Sequence, residues 1–102
     1  MLMKYIFIHG SGHKSTSWNE TVSYMKSNEN ILCPDLSSIF NGKEANYFNL
    51  YSSLAEYCNI IEGQIHLCGI SLGGILALKY TLDFPDKVKS LVLIGTPQKF
   101  LK

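Results

Sequence analysis

Four short strand-like segments, each broken off by glycine or proline, constrain this chain more than any other feature of it. They are Tyr5–Ile8 before His9-Gly10-Ser11-Gly12, Asn30–Cys33 before Pro34-Asp35, Gln64–Cys68 before Gly69, and Val88–Ile94 before Gly95-Thr96-Pro97. Tyr5–Ile8 is continuously apolar, which suits a strand buried on both faces, as in parallel sheets. Helical patterns fill the gaps between them. Ser17-Trp18-Asn19-Glu20 has the spacing of a capping box, and Trp18, Val22 and Met25 follow at helical intervals towards Asn28. Tyr47, Leu50, Leu54, Tyr57 and Ile61 form one apolar stripe, with Gly63 as a left-handed cap. Ile75–Phe84 reads as a third helix, ended by Pro85. Residues 36–44 read as a loop with a turn at Asn41-Gly42. The order β-α-β-α-β-α-β with short connections predicts an α/β chain, a parallel sheet of about four strands with flanking helices and right-handed crossovers.

Composition narrows the function classes. A length of 102 residues allows one small domain, and 46% hydrophobic against 17% charged residues argues against disorder. Nine lysines and no arginine balance eight acids to a net charge of +1. That leaves no field to attract nucleic acid or an anionic membrane, and no bidentate arginine clamp. The run Tyr5–Ile8 is too short for a signal-peptide core or a membrane span, so the expected location is the cytoplasm. Cys33, Cys58 and Cys68 are odd in number and lack a Cys-x-x-Cys pair, which reads as free thiols in a reducing compartment. The sequence offers no metal-ligand cluster and no cofactor motif, so neither a metal nor a cofactor is expected.

In parallel sheets, ligands sit beyond the carboxyl ends of the strands, where this chain places two glycine-rich turns. The first candidate is Gly69-Ile70-Ser71-Leu72-Gly73, between a strand and a helix. A nucleophile at the tip of so sharp a turn needs neighbours without a Cβ, which Gly69 and Gly73 supply. At a helix N-terminus, free N–H groups favour negative charge, and the N–H of Leu72 would face an oxyanion forming on a bound carbonyl. Competing glycine readings fail, because neither Gly-x-Gly-x-x-Gly nor a Gly-Lys-Ser/Thr phosphate loop is present. The second candidate is the loop His9-Gly10-Ser11-Gly12, whose glycines would let the Ser11 N–H approach as a second oxyanion donor. His13 in the same loop is a candidate substrate contact.

Taken together these blocks resemble the α/β-hydrolase family over nearly the whole chain. Ile8-His9-Gly10-Ser11-Gly12 followed by Trp18 is similar to the family's oxyanion loop and first helix. Cys33-Pro34-Asp35-Leu36 is similar to the strand end after it, and Ile65 to Gly74 to the nucleophile elbow. Phe84-Pro85-Asp86-Lys87-Val88 and Leu91-Val92-Leu93-Ile94 resemble the next helix end and strand. The resemblance implies the N-terminal half of the fold, with Ser71 as nucleophile and the Ser11 and Leu72 N–H groups as oxyanion hole. It implies a serine hydrolase acting on a small carboxylic ester or related acyl substrate. Acyltransfer, C–C cleavage, cofactor-free peroxidation and a purely binding role on the same fold are the alternatives.

The family's acid and histidine follow later strands, and no carboxylate follows Ile94 here. The expectation is therefore one partial domain, 1–102, truncated after the strand 88–94 and inactive alone. His9 is expected to support its loop, His66 to be buried in the sheet, and Asp35 to belong to a loop beside an edge strand. The exposed edge of 88–94 is expected to drive homo-oligomerisation or aggregation.

Overall fold

A computed structural model describes residues 4–10, 18–24, 30–36 and 46–95. Its elements are β1 (Lys4–Ile8), α1 (Asn19–Ser23), β2 (Ile31–Leu32), α2 (Tyr47–Asn59), β3 (Ile65–Ile70), α3 (Leu72–Asp83) and β4 (Val88–Ile94). The strands form a parallel sheet in the order β2-β1-β3-β4. The α/β class, the strand count and the parallel pairing are as the sequence predicts. β1 and β3 lie at the centre, in register from Lys4 opposite Ile65 to Ile8 opposite Gly69. β4 joins β3 with a register shift after Ile65, which leaves His66 opposite Ser90 and Cys68 opposite Val92.

Helices α2 and α3 cover one face of this sheet. Ile6 and Ile8 of β1, Ile65 and Leu67 of β3, Leu54 and Cys58 of α2, and Leu76, Ala77 and Tyr80 of α3 make one core. Tyr80 is fully buried, yet its hydroxyl donates to Asn59 Oδ1 at 2.6 Å, so the two helices are joined by a polar bond over an apolar seam. The opposite face is covered differently. Phe7 meets Trp18 at 5.0 Å between ring centroids, while Tyr5 stacks on His66 and the row continues through Cys68, Ser90 and Val92.

Burial on both faces therefore holds for the Ile6–Ile8 end of β1 alone. β3 alternates between buried and half-buried positions, and Val92 and Ile94 of β4 are 51% and 44% exposed. The reason is that α2 and α3 both pack on the Ile6–Leu67 face. His66, expected to be buried, is half-exposed among the described residues.

Helix boundaries also shift. α2 starts from Asn46, whose side chain accepts from the Asn49 N–H at 2.9 Å, a cap the apolar stripe does not reveal. It stops at Asn59, before Ile61, and Gly63 is left-handed with φ of 82° in the turn that follows. β2 is only two residues long. α3 begins at Leu72 instead of Ile75, and β3 runs on to Ile70. Ser71 alone separates them. No helix among the described residues is long and apolar enough to cross a membrane.

Candidate active site

The one-residue junction at Ser71 is the most strained backbone in the described chain. Ser71 has φ of 52° and ψ of −117°, and it is the one described residue other than glycine with a positive φ. Three hydrogen bonds hold it there. Its N–H donates to the Ile94 carbonyl at 3.0 Å, which ties the turn to the end of β4. Its carbonyl accepts from the Gly74 and Ile75 N–H groups at 2.9 and 3.1 Å, which opens α3. Its hydroxyl makes no capping bond, and the residue is exposed. A serine placed before a helix ordinarily spends its oxygen on the helix N–H groups. Here the backbone turns that oxygen outward.

The two elbow glycines are required for different reasons. A Cβ on Gly69 would stand 2.5 Å from the carbonyl carbon of Gly73, within the turn itself. A Cβ on Gly73 would stand 2.6 Å from the His9 carbonyl oxygen and 2.7 Å from the Ile8 carbonyl carbon, closer than real Cβ atoms come. The start of α3 therefore rests directly on the end of β1. This contact brings the two glycine-rich turns together, and sequence spacing alone does not show it. As the first residue of α3, Leu72 has an N–H that the helix cannot satisfy.

The end of β1 is fixed in turn by His9, which is 4% exposed. Its Nδ1 lies 2.8 Å from the Gly10 carbonyl, and the Leu36 N–H donates to its Nε2 at 3.0 Å. Asp35 Oδ1 is 3.7 Å from the same Nε2. An ion pair there would need a proton on Nε2, but the shorter bond from Leu36 needs its lone pair. The neutral imidazole satisfies both hydrogen bonds, and we assign it. His9 thus supports its loop, as expected, and Asp35 stands beside the edge strand β2. Gly10 is buried at the same place. Ser11, Gly12 and His13 lie outside the described residues.

His66 faces away from this constellation, with Nδ1 2.6 Å from the Ser90 hydroxyl and its ring 4.5 Å from that of Tyr5. Neither His9 nor His66 is thus committed to Ser71. The cysteines are free, and burial pushes all three thiols up, Cys58 to about 12. A protonated thiol is a poor nucleophile. Among the described residues, no group of three His, Cys, Asp or Glu side chains could hold a metal ion.

Known proteins share this arrangement of elements. A sequence model of the alpha/beta hydrolase family matches residues 5–101. The Arabidopsis thaliana protein named Probable lysophospholipase BODYGUARD 1 is 35% identical over 106 residues, covering 90% of this chain and 22% of its own. The pimeloyl-[acyl-carrier protein] methyl ester esterase of Aeromonas hydrophila is 28% identical, covering 94% of this chain and 39% of its own. The crystal structure of a membrane phospholipase A described as a bacterial virulence factor superposes with a TM-score of 0.78 at 25% identity, over 93% of this chain and 33% of that one. The chain spans well under half the length of each. With a family match over nearly its whole length, the chain belongs to the alpha/beta hydrolase family.

Proposed function

We propose that the chain carries the nucleophile and oxyanion half of a serine hydrolase acting on carboxylic esters or related acyl substrates. The observation that carries this is Ser71 itself, exposed and uncapped, at φ of 52° on a single-residue strand-to-helix turn. The esterase and phospholipase names of the relatives support the same substrate class.

In this reading Ser71 Oγ attacks the acyl carbonyl carbon. Its proton passes to a general base and then to the departing alcohol, leaving an ester on Ser71 that water cleaves. The N–H of Leu72 donates to the developing oxyanion, and the Ser11 N–H is the second donor. Donors fixed before the reaction need no reorganisation when the charge appears, and one such donor is worth about 10²–10³ in rate. His9 and His66 hold other partners, so a histidine base falls outside the described residues. A serine without a base keeps only the share of catalysis that the oxyanion donors supply.

The committed histidines also favour a second reading, in which the chain binds without turning over. One experiment separates the two. The protein is treated with a fluorophosphonate, and the adduct is located by mass spectrometry. A single adduct on Ser71, absent from Ser71→Ala and formed at least about tenfold faster than on any other serine, supports the hydrolase reading. Labelling that survives Ser71→Ala overturns it, and a folded chain that takes no adduct on Ser71 favours the binding reading.

A further inference from the structure

We propose that Ser90 and His66 form a second nucleophile–base pair, on the sheet face that α2 and α3 leave bare, and that Ser90 takes an acyl group there from aryl esters of small carboxylic acids. The pair lies apart from the Ser71 turn and does not depend on the reading of Ser71.

The register of the sheet makes the pair. Ser90 of β4 stands opposite His66 of β3, and Ser90 Oγ lies 2.6 Å from His66 Nδ1. That distance is short for an N–H donor and within the range of an O–H donor, so the serine hydroxyl donates and the ring nitrogen accepts. The ring is then neutral, with its proton on Nε2. Tyr5 holds it from β1, stacked at 4.5 Å between ring centroids and 13° from parallel. A hydroxyl bonded to a base that a third group orients is the arrangement that activates a serine.

Ser23 supplies the contrast. It is exposed, as Ser90 is, and its hydroxyl donates over the same 2.6 Å, but to the Glu20 carbonyl. A backbone carbonyl accepts the bond without being able to take the proton. Imidazole is the side chain suited to taking it near neutral pH.

The pair opens on a cavity of about 180 Å³ whose walls also include Tyr5, Phe7, Cys68 and Val92. An apolar cavity of about 150 Å³ holds a benzene ring, so the space fits one aromatic ring. An ester whose aryl ring enters it brings its carbonyl carbon within reach of Ser90, which lines the same space. Backbone N–H groups of a sheet lie in its plane, aimed at neighbouring strands, so none points out of this face at a developing oxyanion. The leaving group must therefore depart readily, as nitrophenolate does. The same lack makes Ser90 a poor target for a fluorophosphonate, so the two serines answer to different reagents. In the step, Ser90 Oγ bonds to the acyl carbon, the bond from that carbon to the aryl oxygen breaks, and the aryl oxide leaves with the electron pair. The Oγ proton passes to His66 Nδ1 and from there to water. The ester left on Ser90 persists, since no donor assists its hydrolysis.

The test uses para-nitrophenyl acetate on the 102-residue chain carrying Ser71→Ala, in dilute solution at neutral pH, with acetyl groups located by mass spectrometry over time. Acetylation of Ser90 should be at least about tenfold faster than that of Ser23, because general-base assistance is worth about 10²–10⁴ in rate. Adding His66→Asn places an amide oxygen where Nδ1 was, which keeps an acceptor and removes the base, and Ser90 should then fall to the rate of Ser23. Equal rates at Ser90 and Ser23 overturn the proposal, and this comparison is made within one chain, so it stands even where the His66 variant does not fold. Acetyl on Cys68 or Tyr5 with none on Ser90 also overturns it, as does a Ser90 rate that survives His66→Asn in a folded chain. Failure of the Ser71 reading leaves each of these outcomes unchanged, since Ser71 is absent from the chain tested.

Discussion

The two ends of tolerance in this molecule meet in one sheet. Where β1 and β3 run into α3, Ile6 and Ile8 are fully buried and Gly73 has backbone within 3 Å of where its Cβ would be. At the far side, β4 carries Val92 at 51% and Ile94 at 44% exposure, and a Cβ on Gly95 would meet nothing within 4 Å. Close clearance at the elbow lets strain persist at Ser71, because the surroundings over-determine the turn. The open side has no such constraint. Rigidity is thus concentrated where the chemistry is proposed to occur.

The largest effect that would break this comparison comes from adding one carbon to each region. Gly73→Ala forces its Cβ into the Ile8 and His9 carbonyls, both of them backbone that cannot swing aside. The expected cost is at least about 3 kcal/mol, the upper end of ordinary overpacking. Gly95→Ala meets open space and carries only the left-handed penalty of its φ of 58°, about 1–2 kcal/mol. Urea unfolding at constant slope reads both values. A Gly95→Ala loss equal to that of Gly73→Ala would show that clearance at the elbow is not what sets stability.

The open side gives the next effect. β4 is an edge strand among the described residues, with half-exposed apolar side chains on the face that α2 and α3 leave bare. Unpaired strand edges of this kind template association unless charge blunts them. We expect the mass of the chain in sedimentation equilibrium to rise with concentration, and Val92→Lys to return it towards monomer. Its urea midpoint should stay close to the parent's, since Val92 is already half in water. A parent that remains monomeric at high concentration removes β4 as an association surface.

The same contrast explains which parts of the molecule were legible in the sequence. Periodicity and glycine or proline breaks place every strand and the two longer helices, because these features report local conformation. The Gly-x-Ser-x-Gly spacing marks Ser71, since a turn that tight tolerates few residue types at its flanks. Contacts between distant segments leave no such local trace. The Gly73 approach to β1, the Ser71 bond to Ile94 and the Leu36 bond to His9 span 64, 23 and 27 residues. In the sequence His66 resembles core because it is a strand residue between apolar neighbours. Its exposure depends on which face the helices choose, and the alternation of Ile65 and Leu67 with His66 and Cys68 was the signal that could have shown it.

The smallest expected effect lies on the outer surface of the covering helices and sharpens the comparison from the packed side. The Tyr51 hydroxyl donates to Asp83 Oδ2 at 2.5 Å, joining α2 to α3, and Lys79 reaches Asp83 Oδ1 at 3.3 Å one turn away. The Tyr51 bond, more than Lys79, holds the Asp83 carboxyl below its ordinary range, while burial and the same bond push the Tyr51 phenol up. A carboxylate lowered in the folded state adds stability above its unfolded pKa of about 3.9 and loses it as pH falls through the folded value. The contribution of this solvent-exposed pair is therefore complete at neutral pH; it fades on the acid side as Asp83 protonates and on the alkaline side, above about 10, where the Tyr51 phenol ionises first in the unfolded chain. A carbon-detected titration should show Asp83 moving up in Tyr51→Phe, and moving up less in Lys79→Ala. A larger shift in Lys79→Ala would assign the lowering to the ammonium and leave the bond between the helices without influence on the carboxylate.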